Sequence, residues 1–195
     1  MKAIVWAVLV LLLAAPLALG GEADTEKVDN PQYKSWAAYK PGTMVKQQMT
    51  SKMTMGGQET ETKTTMTSTL KKLTAEKAVL AIVVEVNVGG KKMTQPAREQ
   101  EVPAKVDKKA TTQPAAPAGT KMTKKGEGDE EITVGGKKYK THWVEWHMVS
   151  DRAEMTSKTW TTDAVPGQMV KMTSDMTKPM AVKTTSEMVE LKLVK

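Results

Sequence analysis

Few residues in this chain could do chemistry, and the histidines come first. His142 and His147 are its two imidazoles, both in the stretch THWVEWHM. Glu145 stands two residues before His147, a carboxylate beside an imidazole, the pairing that acid–base catalysis uses. On a strand, positions two apart share a face and positions five apart do not. Glu145 and His147 therefore share a face with Tyr139 and Trp143, while His142 points away. The two imidazoles cannot close on one metal from a regular strand. Spacing places no nucleophile or third group beside the pair, so the residues amount to ordinary histidines and no catalytic set.

Ser68-Thr69-Leu70-Lys71 spells S-x-x-K. In acyl-transfer enzymes that motif works on a helix, where Ser and Lys lie one turn apart and S-D-N and K-T-G complete the site. Here the segment alternates as a strand, Ser174-Asp175 continues into Met176, and K-T-G does not occur. The match is accidental. The glycine pairs are turn chemistry, and no phosphate loop, G-x-S-x-G elbow or H-E-x-x-H helix is present. The expectation is a protein that is not an enzyme and carries no cofactor.

The methionines are the third candidate. The chain has 15 Met, no Phe and no Cys. Thioethers select soft ions such as Cu(I). Met49, Met53, Met172 and Met176, with His142 or His147 near in sequence, are the residues a copper site would use. The competing reading is packing, because Met is an adaptable filler and something must replace Phe in the core. These methionines alternate onto the apolar side of their strands, so core filling is the reading adopted and no metal is expected.

The elements that position these residues are mainly strands, as abundant Thr and Val favour. The segment Asn30 to Gly42 reads as a short helix over 31–39: Asn30 caps, Pro31 takes the first helical position, and Pro41-Gly42 stops the run. Tyr33, Trp36 and Ala37 form its apolar face. From Thr43 the period becomes two, with hairpin signals at Gly56-Gly57, Gly89-Gly90 and Gly135-Gly136. Ala78 to Val88 is apolar on both faces in its first half, as in a strand covered on both sides. Residues 103–129 are rich in Pro, Ala, Lys, Thr and Gly and read as a disordered insertion. In the last strand the apolar set shifts from Val182 and Met188 to Leu191 and Leu193, which predicts a bulge near Val189 or Glu190. PGTMVK at 41–46 recurs as PGQMVK at 166–171, each followed by Met-Thr-Ser-x-Met-Thr, and VNVGGKK at 86–92 matches ITVGGKK at 132–138. These echoes imply equivalent strand geometry in both halves.

The first twenty residues predict an export signal. Lys2 precedes thirteen apolar residues from Ala3 to Ala15, too short a run to span a bilayer, and Ala18 and Gly20 suit the positions before a cut at Gly21. No second run of that length follows, so no transmembrane segment is expected after cleavage. The absence of cysteine excludes disulfides and thiol chemistry, and fits a bacterial envelope address, periplasmic or extracellular. The net charge of +7 favours anionic partners such as lipid headgroups or acidic envelope polymers. No aromatic-rich basic motif points to nucleic acid. The charge is diluted among Thr and Glu along the strands, as on an ordinary solvated surface.

The layout NPQYKSWAAYKPGTMV, a long Thr-rich hairpin, then EITVGGKKYKTHWVEW and WTTDAVPGQMVK resembles small exported bacterial proteins of unknown function. In outline these are similar to half-barrels of the periplasmic lipoprotein-carrier type. The resemblance implies one curved antiparallel sheet, half-barrel or barrel-like, spanning 31–195 as a single all-β domain with a short N-terminal helix at its mouth and an apolar ligand on the sheet. It differs from such carriers in having less helix to cover a cavity. Tyr33, Trp36, Trp143 and Trp160 are the side chains expected to face that ligand. The functional expectation is a non-enzymatic envelope protein that binds an apolar or polymeric ligand. A Met/His copper protein and a structural envelope protein are the alternatives.

Overall fold

A computed structural model describes residues 26–55, 57–108 and 119–194. The expected export signal at 1–20 lies outside these residues, as does 109–118 of the expected insertion. The described elements are β1 (Lys27–Asp29), α1 (Pro31–Ala37), β2 (Met44–Met55), β3 (Gln58–Leu73), β4 (Lys77–Val88), β5 (Lys91–Thr94), β6 (Arg98–Pro103), β7 (Lys105–Asp107), β8 (Lys121–Val134), β9 (Lys137–Val149), β10 (Glu154–Thr161), β11 (Met169–Lys178) and β12 (Val182–Lys192). The fold is mainly β, as the alternation requires. β1 pairs with β7, and the other strands form an antiparallel ten-stranded sheet in the order β5-β4-β3-β2-β12-β11-β10-β9-β8. β5 and β6 share one edge, each pairing with a different half of β4.

The sheet is open but strongly curled. A Cβ built on Gly135, in the β8–β9 turn, would sit 3.4 Å from the Val189 carbonyl oxygen of β12. In a flat sheet those strands would lie roughly 17 Å apart at about 4.8 Å per strand. Register shifts supply part of the bending, since a bulge increases local twist. One falls between Met188 and Glu190, where the apolar set changes parity, and others lie at Leu70/Lys72 and Lys124/Gly126.

The helix starts as its sequence dictates. The Asn30 side chain accepts from the Gln32 N–H at 3.0 Å, and Pro31 occupies the first turn. The Asn30 amide donates to the Pro103 carbonyl at 2.8 Å, and the Tyr33 hydroxyl donates to the Thr74 carbonyl at 2.6 Å. The Gly167 N–H donates to Ser35 Oγ at 3.1 Å, so α1 also holds the β10–β11 loop. Helical structure ends at Ala37, short of the expected 39, because the chain turns where the Tyr39 N–H meets the Trp36 carbonyl. That turn buries Tyr39 and leaves Ala37 exposed, so Tyr39 takes the place expected for Ala37.

The core gathers at the helix end of the sheet. Trp36, Val45, Leu70, Leu80, Ile82, Val102, Val165, Val170 and Met188 belong to one buried cluster, with Leu70, Val165 and Val170 fully covered. Thr43 is also fully buried, and its hydroxyl both accepts from the Val194 N–H and donates to the Val194 carbonyl.

Two expectations are corrected here. Residues 121–129, read as part of a disordered insertion, are strand: they form most of β8, and 105–107 pair with β1. Composition misled because Gly126 and Gly128, which look like loop residues, lie under the Trp143 ring, where any Cβ would come within 3.2 Å. The methionines do not fill the core. Among the described residues Met188 is the buried one, and Val, Leu, Ile, Ala, Trp and Tyr take the rest.

This division of labour is measurable. Leu70→Ala is expected to cost about 2–5 kcal/mol in equilibrium urea unfolding, as large core truncations do. Met53→Ala, far along the same face, should cost under about 1 kcal/mol. Equal losses would mean that the core extends to the methionines after all.

Candidate functional site

Register assigns every side chain of the sheet to one of two faces. On one face, Val45, Gln47, Met49, Ser51 and Met53 of β2 stand opposite Ser68, Met66, Thr64, Thr62 and Thr60 of β3. That face continues onto Ile82, Val84 and Val86 of β4, so it is the face that carries the core. In the other direction Met49 lies opposite Ser186, which lies opposite Met172. Met53 lies opposite Val182, which lies opposite Met176. The two Met-Thr-Ser-x-Met-Thr echoes thus flank β12 at matching levels.

Beyond β11 the row continues. Met176 is opposite Met155, Met155 opposite Met148, and Met148 opposite Met122. Five of the six positions from β2 to β8 are therefore methionine, with Val182 the sixth. These side chains are half-buried, and Met122 at the edge is exposed. A row of hydroxyls, Ser51, Thr184, Ser174 and Ser157, separates them from the Met49–Ser186–Met172 level. Ser51 Oγ and Thr184 Oγ1 are 3.1 Å apart. Thr64 Oγ1, opposite Met49, is the buried side-chain polar atom without a partner among the described residues. Sequence reasoning found Met49, Met53, Met172 and Met176 but missed Met122, Met148 and Met155. The signal was parity: each is opposite the next, but only once strand register is known.

The other face is mostly polar along β2 and β3, but on β8, β9 and β10 it carries Ile132, Val134, Tyr139, Trp143 and Trp160, which belong to the buried cluster or pack against it. Trp143, Glu145 and His147 of β9 are opposite Trp160, Lys158 and Thr156 of β10. The Trp143 ring lies on Gly126 and Gly128, and the Lys158 ammonium sits 3.9 Å from its centroid and 4.7 Å from that of Trp160. Such cation–π contacts strengthen as water is excluded. Glu130 completes the cluster by accepting from the Trp160 indole N–H and pairing with Lys158 at 3.3 Å. The indole hydrogen bond holds the Glu130 carboxyl below the usual glutamate range; burial opposes it, and the Lys158 hydrogen bond and the charges of Lys158 and Lys171 add to the lowering.

The four aromatic residues expected to face a ligand do not do so together. Trp36 and Trp160 are buried in the core, at 3% and 8% exposure, and Tyr33 and Trp143 are packed against it. Tyr33 and Trp36 belong to α1, Trp143 and Trp160 to the cluster on β9 and β10. Their rings are consumed by packing, by the Tyr33 hydrogen bond and by Lys158. Trp36 and Trp160 thus serve the core, while Tyr33 and Trp143 are half-buried beside it.

The histidines separate as the alternation requires. His142 Nδ1 is 2.9 Å from Asp129, with Glu127 3.6 Å from Nε2, and all three are exposed. His147, on the opposite face, has Glu154 at 3.4 Å. Neither reaches the methionine row: His147 is on the wrong face, and His142 is six residues from Met148, roughly 20 Å along an extended strand. Glu145 and His147 share a face but gain no serine, since their neighbours are Lys158, Gly126, Thr156 and Thr123. Among the described residues no group of three His, Cys, Asp or Glu side chains could hold a metal ion. Ser68 stands on the core face and Lys71 at a bulge, in a strand, so S-x-x-K builds nothing. The best-formed hollows are open and polar, each about 310 Å³. One is lined by Glu145, Lys158, Thr173, Asp175 and Lys183, the other by Lys140, His142 and Asp163.

The Trp160 cluster should report on pH. Glu130 ionises more readily folded than unfolded, so its charge adds stability above the ordinary carboxylate range. That contribution is lost as pH falls through this range and below. In urea series read by tryptophan emission, Glu130→Gln is expected to flatten part of the acid-side loss. A variant whose stability follows pH as the wild type's does would remove Glu130 from this role.

No family model matches the chain, and no curated protein matches it. Two solved structures are similar in fold. One is a Bacteroides fragilis protein assigned to export and to a YmcC-like fold, 9% identical, covering 79% of this chain and 97% of its own, with a TM-score of 0.43. The other is a Parabacteroides distasonis protein assigned as a lipoprotein, 8% identical, covering 79% of this chain and 96% of its own, with a TM-score of 0.42.

Proposed function

We propose that this is an exported, non-enzymatic envelope protein, periplasmic or extracellular, that binds an apolar ligand along the methionine-lined part of its curled sheet. The observation that carries this reading is the distribution of methionine. Five methionines stand outside the buried cluster in one row on β2, β11, β10, β9 and β8, interrupted at β12 by Val182; four are half-buried and Met122 is exposed. An unbranched, polarizable side chain suits an adaptable binding surface, since it repacks around differing shapes at little cost. At about 4.8 Å per strand the row is roughly 24 Å long, long enough for an extended hydrocarbon chain. The helix packs on β4 and β6 and leaves this row uncovered by any helix among the described residues.

An anionic polymer as ligand has less support. Lys46, Lys63, Lys92 and Lys171 are each paired with a glutamate on their own or a neighbouring strand. Lys158 is held by Glu130 and two indoles. These charges are largely answered within the sheet. They keep the opposite face soluble without forming a continuous basic track.

The test uses the apolar fluorophore N-phenyl-1-naphthylamine, with native mass spectrometry of protein taken from its own compartment. The probe's emission should rise on binding. Met155→Glu, which puts a charge mid-row, should weaken binding about tenfold or more with an unchanged circular-dichroism spectrum. Equal binding by wild type and variant, with no co-purified apolar molecule, would overturn the reading.

A further inference from the structure

The row contains a denser feature than an apolar ligand requires. Met176, Met155, Met148 and Met122 occupy directly opposed positions on the consecutive strands β11, β10, β9 and β8. We infer that Met148, Met155 and Met176 form a binding site for one soft monovalent cation, Cu(I) or Ag(I).

Directly opposed residues have Cβ atoms about 4.5–5.5 Å apart. A thioether is two bonds beyond Cβ on a freely rotating stem. From the outer strands, Met176 and Met148 can lean inward so that their sulfurs and that of Met155 converge above β10. Met122 is placed one strand further out as a fourth sulfur at the exposed edge.

The donor chemistry selects the ion. Thioethers are soft and uncharged, which favours Cu(I) and Ag(I) over hard or divalent ions. No carboxylate or imidazole stands in the row to balance a second charge or recruit zinc. Packing alone does not account for the choice of sulfur. Among the described residues the buried cluster is made of Val, Leu, Ile, Ala and Trp, with one methionine, Met188. Partly exposed thioethers also give an ion a short path from solvent, which a core methionine would not.

The site differs from the pairing expected from sequence. Neither histidine takes part, and Met49 and Met172 sit on the other side of the hydroxyl row with Ser186 between them.

The test is titration of the full protein with Ag(I), read by native mass spectrometry and by ¹³C-methyl methionine resonances. One ion per chain is expected, with the largest shifts at Met148, Met155 and Met176 and small ones at Met49 and Met172. The triple variant Met148→Leu, Met155→Leu, Met176→Leu keeps volume and apolarity, so it should remain folded. It should bind Ag(I) at least a hundredfold more weakly while N-phenyl-1-naphthylamine binding persists. A wild-type protein that binds Ag(I) but not N-phenyl-1-naphthylamine would instead count against the apolar-ligand reading alone. Undiminished Ag(I) binding by the triple variant, or shifts spread evenly over all methionines, would overturn the metal site.

Discussion

Antiparallel register about β12 is the constraint on which the rest of this molecule depends. β12 lies between β2 and β11, strands far apart in sequence that carry nearly the same residues, and it holds both in step. Because side chains alternate, slipping that register by one residue would exchange the two faces of half the sheet. Methionines would meet the lysine-rich side, and core valines would meet water. The bulge between Met188 and Glu190 is where this register is adjusted. Below it, even-numbered residues of β12 continue the methionine face, and above it Leu191 returns to that face opposite Val45. The same bulge presents the carbonyl that the β8–β9 turn approaches, so face assignment and curvature are fixed at one place.

Local pattern made most of the fold legible. The helix start needed only Asn30-Pro31, and the Gly89-Gly90 and Gly135-Gly136 turns needed only glycine pairs that tolerate positive φ. The bulge followed from a change of parity within one strand. What local pattern could not supply was lateral neighbourhood. Residues 121–129 looked incapable of burying anything, and by themselves they bury little. They become strand because Trp143, on the next strand, needs a flat bed without Cβ atoms. The glycines that suggested a loop are what lets the ring lie there.

The same limit explains the methionines and the tryptophans. Parity placed Met49, Met53, Met172 and Met176 on an apolar face correctly, but a face is not a core. Depth depends on what packs above, and α1 covers only the β4 end. Trp36 and Trp160 were misjudged in the opposite direction. The resemblance implied rings facing a ligand, yet both are buried in the core cluster. Tertiary covering therefore reversed the two assignments: the rings went in, and the thioethers stayed out.

That exchange bears on what the protein is for. A half-buried apolar row is a liability on a surface that meets water, because exposed apolar surface invites association. The opposite face shows that this sequence can make a soluble surface, with Lys46, Lys52, Lys63 and Lys171 each set against glutamate. Thr or Lys in place of Met148, Met155 and Met176 would satisfy the strand pattern as well as they do on neighbouring positions, and would remove the liability. Nor is the row needed for the core, which the hydroxyls of Ser51, Thr184, Ser174 and Ser157 separate from it. On the proposed reading, a feature that folding does not require and solubility disfavours is kept for what it holds. The surface offers both adaptable apolar area and directly opposed methionines, so leucine substitution, which keeps the first and removes the sulfur, is the change that separates the two proposed uses.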